Sequence, residues 1–333
     1  VTLLSELTTM RVGGPAEKLV TATTRDELVE AALAAWSDGE PLLVLGGGSN
    51  VVVGDAGFDG TVIRVASRGI ERLDGGVLRV EAGEPWDGLV EHAVSQGLRG
   101  IEALSGIPGS AGAAPIQNIG AYGQELSDVL VAIDFLDAVT GEVSRVPAED
   151  LELGYRMSAI KAGREGLVLG IELQLSEATE SPIRYAQLAS ALGVESAPIA
   201  DIRAGVLALR RAKGMVLDPH DPDTVSCGSF FTNPIVSENF ARSLPSEAPQ
   251  WLVDDVDVKL SAAWLIERAG VGKGFRLPGS RIAISSKHTL AITNRGGGTA
   301  EEVGELARYI RAMVLSRFGV ALQPEPVAVG VEL

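Results

Sequence analysis

S-G-I-P-G-S-A-G-A-A-P-I-Q-N-I-G-A-Y-G, from Ser105 to Gly123, carries no charged residue and is mostly Gly, Ala and Ser. Gly106, Pro108, Gly109, Gly112 and Pro115 break it too often for one regular helix or strand. Glycine at this density suits a backbone that bends sharply or that a ligand approaches closely. Such a loop offers its N–H groups to a negative or flat ligand. The same composition suits a packing loop of small residues between two elements.

A second loop changes the balance. Pro41 to Leu45 reads as a buried strand, Gly46-Gly47-Gly48-Ser49-Asn50 follows it, and Val51-Val52-Val53 comes next. Strand, glycines and strand do not make a Rossmann fingerprint, which needs a helix after the glycines, and no Walker lysine is present. The loop can still cradle a phosphate through its amides, with Ser49 and Asn50 adding side-chain bonds. Two such loops suggest a dinucleotide with two ends to hold.

Composition bounds the rest. The chain has 333 residues, enough for two or three domains, and 28 Lys and Arg against 44 Asp and Glu give a formal charge of −16. That balance excludes general nucleic-acid binding and requires a local cationic cluster for any anionic substrate. The single cysteine, Cys227, excludes an intrachain disulfide and suits a reducing compartment. With no apolar run near membrane-span length and no charged-then-apolar leader, the expectation is a cytoplasmic protein without membrane insertion. Three histidines and one cysteine make no metal-ligand cluster.

Along the chain, Leu7 to Pro15 reads as a strand entering a turn. Thr24-Arg25-Asp26-Glu27 is a capping box that starts a helix burying Leu28, Ala32, Leu33 and Trp36, with Gly39 ending it. Gly76 to Ala82 alternates as a strand. Asp87 to Gly97 carries Leu89, Val90, Ala93 and Val94 on one helical face. Val131 to Val146 reads as a hairpin turning at Thr140-Gly141, and Gly166 to Leu175 as a strand. Ile183 to Ala197 is a connection. Ile199, Ile202, Val206 and Leu209 mark a helix ending in Arg210-Arg211-Ala212-Lys213, cations that the helix dipole accounts for, Arg210 above all. A second capping box, Thr299 to Glu302, opens a helix carrying Val303, Leu306, Ile310 and Val314. The alternation of helix and strand gives an α/β (α+β) chain.

L-G-G-G-S-N at 45–50 and I-P-G-S-A-G-A-A-P-I-Q-N-I-G-A-Y-G at 107–123 closely resemble the flavin-binding motifs of the UDP-N-acetylenolpyruvoylglucosamine reductase family. The resemblance continues through R-V-G-G-P-A at 11–16, Y-R-M-S at 155–158, G-S-F-F-T-N-P at 228–234, K-L-S-A-A-W-L-I at 259–266 and L-Q-P-E-P at 322–326. The ordered set spans nearly the whole chain, and its order is what makes it specific.

This resemblance implies a two-lobed FAD-binding domain of the p-cresol methylhydroxylase / vanillyl-alcohol oxidase type over residues 1–178, with a seam near 65–70. A C-terminal α/β substrate-binding domain over 198–320 follows, and a tail, 321–333, returns to the active site. FAD is held non-covalently, and NADPH is the hydride donor. The implied reaction is reduction of UDP-N-acetylglucosamine-enolpyruvate to UDP-N-acetylmuramate by a monomer. The cofactor residues carried over are Leu45, Gly46, Gly47, Gly48, Ser49, Asn50, Ser105, Gly106, Pro108, Gly109, Gly112, Ala113, Gln117, Asn118, Gly120 and Tyr122.

Three residues carry the chemistry in this resemblance. Ser229 is the proton donor to C2 of the enolpyruvyl group; from the residues alone it reads first as a turn serine capping a helix or strand end, and with no G-x-S-x-G elbow around it not as a hydrolase nucleophile. Arg156 faces the substrate carboxylate and stabilises developing charge, where the sequence alone allows a surface ion pair. Glu325, an acid between two prolines, helps stabilise the enol and would need a raised pKa in that role; otherwise it is an exposed turn residue. Tyr185, Lys213, Asn233 and Lys259 are the implied substrate contacts, the two lysines facing the diphosphate. His288 stands where the family often has glutamine and reads as a surface histidine. Cys227 reads as a small buried filler. An oxidase of the same flavin-binding fold, acting on a hydroxy acid or sugar lactone, explains the glycine loops equally well but leaves G-S-F-F-T-N-P and Glu325 unexplained. A non-catalytic flavin module leaves the second domain unexplained.

Overall fold

The computed structural model describes residues 2–333. The chain groups into two compact units, one made of Ala16–Gly48 and Asp59–Val216, the other of the residues up to Pro15, Ser49–Phe58 and Leu217–Leu333. This division differs from the one expected from sequence: residues 198–216 group with the larger unit, and two N-terminal segments group with the C-terminal part. No helix among the described residues is long and apolar enough to cross a membrane.

In the larger unit, α1 (Arg25–Asp38) starts at Thr24, whose side chain accepts from Glu27 N–H in a complete capping box, and stops at Gly39 in the left-handed region, φ 67°. Such a cap contributes about 1 kcal/mol. The helix buries Leu28, Ala32 and Ala35. Leu33 is 37% exposed, a correction to the expected stripe: it lies about 100° off that face. The strand Leu42–Leu45 runs parallel to Phe58–Val65 and sits at the edge of a three-stranded sheet. Its edge position explains why only Leu45 is buried, where sequence suggested a wholly buried strand.

Beside it lies a five-stranded antiparallel sheet in the order Val143–Pro147, Leu130–Asp137, Gly166–Gln174, Val77–Glu81, Ile70–Arg72. The central strand Gly166–Gln174 is buried over most of its length, as expected when both sheet faces are covered. One core gathers Leu28 and Ala32 of α1 with Leu136, Leu167 and Leu169. The other gathers Leu89, Val90 and Ala93 of α2 (Trp86–Ser95) with Val80, Ile133, Phe135 and Ile171. The expected hairpin is present; Asp137 Oδ1 accepts from Val139 and Thr140 N–H, and Gly141 takes φ 70°. The segment read as a plain connection contains α3 (Ala186–Leu192), flanked by the paired strands Glu180–Pro182 and Ser196–Pro198. It packs beside α4 (Ile199–Ala212) through Leu188, Ile202 and Val206.

In the other unit, residues 7–10 form bends and a turn and 11–14 are irregular, in place of the expected strand, because Arg11 at φ 55° and Gly13 at φ 126° interrupt an extended path. The strands Ile235–Ser237 and Gln250–Leu252 flank Asp257–Leu260. Helices α5 (Glu238–Ala241), α6 (Ala262–Arg268) and α7 (Ala300–Phe318) complete the unit. Thr299 caps α7 in the second capping box. Asp55 adds to it by accepting from Ala300 and Glu301 N–H at 2.9 and 3.1 Å. The core joins Val303, Leu306, Ile310 and Val314 of α7 to Phe230, Phe231, Leu260 and Leu265. Val327–Val329 runs parallel to Val51–Val53, so the last strand of the chain pairs with one of the first.

Candidate active site

The two glycine loops meet. A Cβ placed on Gly47 would lie 2.7 Å from Gly109 Cα, and one on Gly46 would lie 2.2 Å from Ser110 Oγ. At Gly46 the Ser110 hydroxyl fills the space, whereas at Gly47 the two loops meet as surfaces of bare backbone. Oxygen-rich, negatively charged groups are bound by such surfaces. Gly112 is equally confined, its Cβ position lying 2.5 Å from Ala82 Cβ. Ala82 O accepts from Gly112 N–H, Glu84 O from Ala111 N–H, and Gly109 O from Trp86 N–H. The segment from Ala82 to Trp86 that leads into α2 thus holds the longer loop from Gly109 to Gly112. Asp87 holds its head: Oδ1 accepts from Gly106 N–H and Arg203 Nη1, both at 2.6 Å, and Oδ2 from Arg203 Nη2 at 3.0 Å. Neither Asp87 nor Arg203 stood out in the sequence, where each is one charge among many.

The far end of the loop is braced by Asn118. Its side-chain nitrogen donates to Glu125 Oε2, Ser127 Oγ and Gly154 O, and its oxygen accepts from Ser127 N–H. Asn118 is buried at φ 45°, and Tyr122 follows at φ 49°. Arg156 also takes a positive φ, 55°, and donates from Nη2 to Gly120 O at 2.7 Å and from Nη1 to Asn118 O at 3.4 Å. Ser158, fully buried, donates to Ile116 O at 2.5 Å. The Y-R-M-S segment is thereby fastened to the glycine loop, which places Arg156 beside Gly120.

Tyr122, Tyr185 and Lys213 form a cluster within the same unit. The two rings pack edge to face with centroids 5.3 Å apart, and Lys213 Nζ lies 5.7 Å from the Tyr122 centroid while donating to Gln187 Oε1. Burial, and then the Arg210 charge, hold the Lys213 ammonium below its ordinary pKa. Burial raises the Tyr122 phenol. Arg210 corrects the dipole account. It is 9% exposed, donates from Nη2 to Met215 O, and its buried Nε has no hydrogen-bond partner. Burial also pulls its pKa below the usual guanidinium value. The signal was in the sequence: Ile199, Ile202, Val206 and Arg210 continue one stripe at steps of three and four.

Ser229, Glu325, Asn50, Asn233 and Lys259 lie in the other unit. Phe230 and Phe231 are fully buried, with rings 5.3 Å apart, and anchor the partly exposed Ser229 that precedes them. Burying each phenylalanine contributes about 2–3 kcal/mol. Phe230 O accepts from Glu325 N–H at 2.9 Å, and Gln323 O from Thr232 N–H at 3.1 Å. Asn50 Nδ2 donates to Glu325 O at 3.3 Å, and Asn50 O accepts from Val327 N–H. These bonds draw the end of the first glycine loop, the Ser229 segment and the C-terminal acid into one place. Asn233 Oδ1 accepts from Ala262 N–H at 3.0 Å, joining its segment to the start of α6. Lys259 stands between Ile235 and Trp251 across the small sheet. His288 is half-buried in the turn before Leu290. Cys227 is buried, its thiol pushed up to about 12 by burial.

Residues 16–147 match a family model described as FAD binding domain, and 219–329 one described as UDP-N-acetylenolpyruvoylglucosamine reductase, C-terminal domain. Together with the glycine cradle they define an FAD-dependent oxidoreductase. The chain is 53% identical to the UDP-N-acetylenolpyruvoylglucosamine reductase of Leifsonia xyli, with 99% of this chain and 98% of that protein covered. The enzyme of the same name from Saccharopolyspora erythraea is 50% identical, over 98% and 94% of the two chains. The crystal structure of the Thermus caldophilus UDP-N-acetylenolpyruvylglucosamine reductase superposes with a TM-score of 0.69 at 30% identity, covering 98% and 97%. The chain belongs to the UDP-N-acetylenolpyruvoylglucosamine reductase family.

Proposed function

We propose that this chain catalyses the NADPH-dependent reduction of UDP-N-acetylglucosamine-enolpyruvate to UDP-N-acetylmuramate in peptidoglycan precursor synthesis. The enzyme acts as a cytoplasmic monomer. The observation that carries the reading is the joint placement of Ser229, Glu325 and Asn50 by Glu325 N–H on Phe230 O and Asn50 Nδ2 on Glu325 O.

FAD, when bound, supplies the hydride that it takes from NADPH and that the enolpyruvyl C3 receives. Gly46, Gly47, Gly48, Ser49, Gly109, Gly112, Ala113 and Gly120 would hold it, with bare backbone at the Gly47–Gly109 junction suited to its phosphates. Ser229 Oγ donates the proton to C2. A serine hydroxyl is a weak acid, so its transfer depends on charge placed to favour the acceptor. Arg156, its guanidinium oriented by Gly120 O, faces the substrate carboxylate and stabilises the negative charge that grows there. Glu325 stabilises the enol form. Lys213 and Lys259 neutralise the diphosphate, and Tyr185 and Asn233 complete the substrate contacts.

The test is an anaerobic absorbance titration of the FAD-loaded protein. NADPH should bleach the oxidised-flavin band, and UDP-N-acetylglucosamine-enolpyruvate should restore it. Ser229→Ala should keep bleaching at the wild-type rate and slow restoration by about a hundredfold or more. A band that does not return in the wild-type protein overturns the substrate assignment. Unchanged restoration in Ser229→Ala overturns the proton-donor role.

A further inference from the structure

Arg156 occupies a place in the backbone that an arginine does not ordinarily fill. Gly154 and Met157 exchange N–H to O bonds of 3.1 and 3.2 Å, so Tyr155 and Arg156 are the two central residues of a tight hairpin turn. At the second of these, φ is 55°. A positive φ at this position favours Gly or Asn, because a Cβ crowds the following carbonyl. An arginine held there needs outside restraint on its backbone as well as on its guanidinium.

The restraint on the backbone is Lys161. Its Nζ donates to Arg156 O at 3.0 Å. The lysine is brought back over the turn by a second, short turn. Ser158 Oγ accepts from Lys161 N–H at 3.1 Å, Ser158 O accepts from Ala162 N–H, and Ser158 itself is pinned to Ile116 O. The Arg156 carbonyl is thus gripped from one side by Lys161, while Gly120 O and Asn118 O accept from the guanidinium on the other.

We infer that Lys161 is a positioning residue for Arg156: by bonding its main-chain carbonyl it holds the left-handed turn that aims the guanidinium. The inference rests on the charge-stabilising role proposed for Arg156. Lys161 therefore affects the substrate-reducing half of the cycle and leaves the NADPH half untouched.

The experiment follows both half-reactions in FAD-loaded wild type, Lys161→Met, Lys161→Arg, Arg156→Ala and the Arg156→Ala/Lys161→Met double variant. Lys161→Met should bleach with NADPH at the wild-type rate and slow band restoration by UDP-N-acetylglucosamine-enolpyruvate about three- to tenfold, the worth of one hydrogen bond. Lys161→Arg should recover most of the loss. In the double variant the lysine change should add nothing to the effect of Arg156→Ala. If Arg156→Ala slows restoration and Lys161→Met does not, the inference falls while the Arg156 reading stands. Additive losses in the double variant also overturn it. If Arg156→Ala restores at the wild-type rate, both fall. Should Lys161→Met lose FAD, Lys161→Gln carries the same comparison, and equal slowing of both half-reactions in it overturns the inference.

Discussion

Glu325 N–H donates to Phe230 O at 2.9 Å, which ties the residue after Ser229 directly to the C-terminal acid. The bond is main chain to main chain, so side-chain changes at 229 and 325 leave it in place. Glu325→Gln is therefore expected to keep the melting temperature and the FAD content of the wild type. It should slow restoration of the flavin band by the enolpyruvyl nucleotide by about a hundredfold. Stopped-flow absorbance on the two half-reactions decides it; wild-type restoration would remove Glu325 from the chemistry.

Neighbouring glycines of the first loop should respond differently to one methyl group. At Gly46 the added Cβ meets Ser110 Oγ, the end of a side chain that can rotate away. At Gly47 it meets Gly109 Cα, and the backbone of the second loop has to move. Gly47→Ala should weaken FAD binding at least about tenfold, and Gly46→Ala by less. Fluorescence titration of the apoprotein with FAD ranks the two, and equal affinities would deny that the loop contact shapes the cofactor site.

Asp87 has a defined acid signature. Burial pushes its carboxyl up, but the Arg203 and Gly106 hydrogen bonds and the Arg203 and Arg210 charges outweigh that and leave its pKa below 3.8. A depressed carboxylate stabilises the fold fully above its unfolded pKa of about 4 and loses that contribution as pH falls through the folded value. Asp87→Asn should accordingly melt below the wild type at pH 7. The gap should shrink as the pH is taken from 4 toward 3. A gap that stays constant over that range would show that the Asp87 charge does not stabilise the fold.

Cys227 should be silent toward thiol reagents. Its thiol is buried, pushed up to about 12, and donates to Val51 O at 3.5 Å. The thiolate is the reactive form. No labelling by a disulfide reagent at pH 8 is expected until denaturant is added, whereas rapid labelling of the folded protein would place the thiol at the surface.

Much of the local structure was legible in the residues themselves. Thr24 with Glu27 and Thr299 with Glu302 mark helix starts because the capping box is a four-residue interaction that needs nothing from elsewhere in the chain. The glycine loops were legible for the same reason, although their meeting at Gly47 and Gly109 was not. The burial of Arg210 was missed by reading charge before spacing. The exposure of Val44 was missed because the edge place of its strand is set by tertiary packing, whereas that of Leu33 was open to reading from helical spacing. Nothing near Val51 in sequence indicates that its strand partner begins at Val327.

That pairing bears on synthesis. While the ribosome is still translating, Val51–Val53 waits for its partner strand Val327–Val329, which is made only after residues 54–326. Residues 16–48 and 59–216 can collapse early, with 49–58 looped out and awaiting residues 327–329. Contacts of such long sequence separation form slowly and leave strand edges open to aggregation meanwhile. Premature termination before residue 327 would deprive Val51–Val53 of its partner, so chains that stop short of it should appear as insoluble protein.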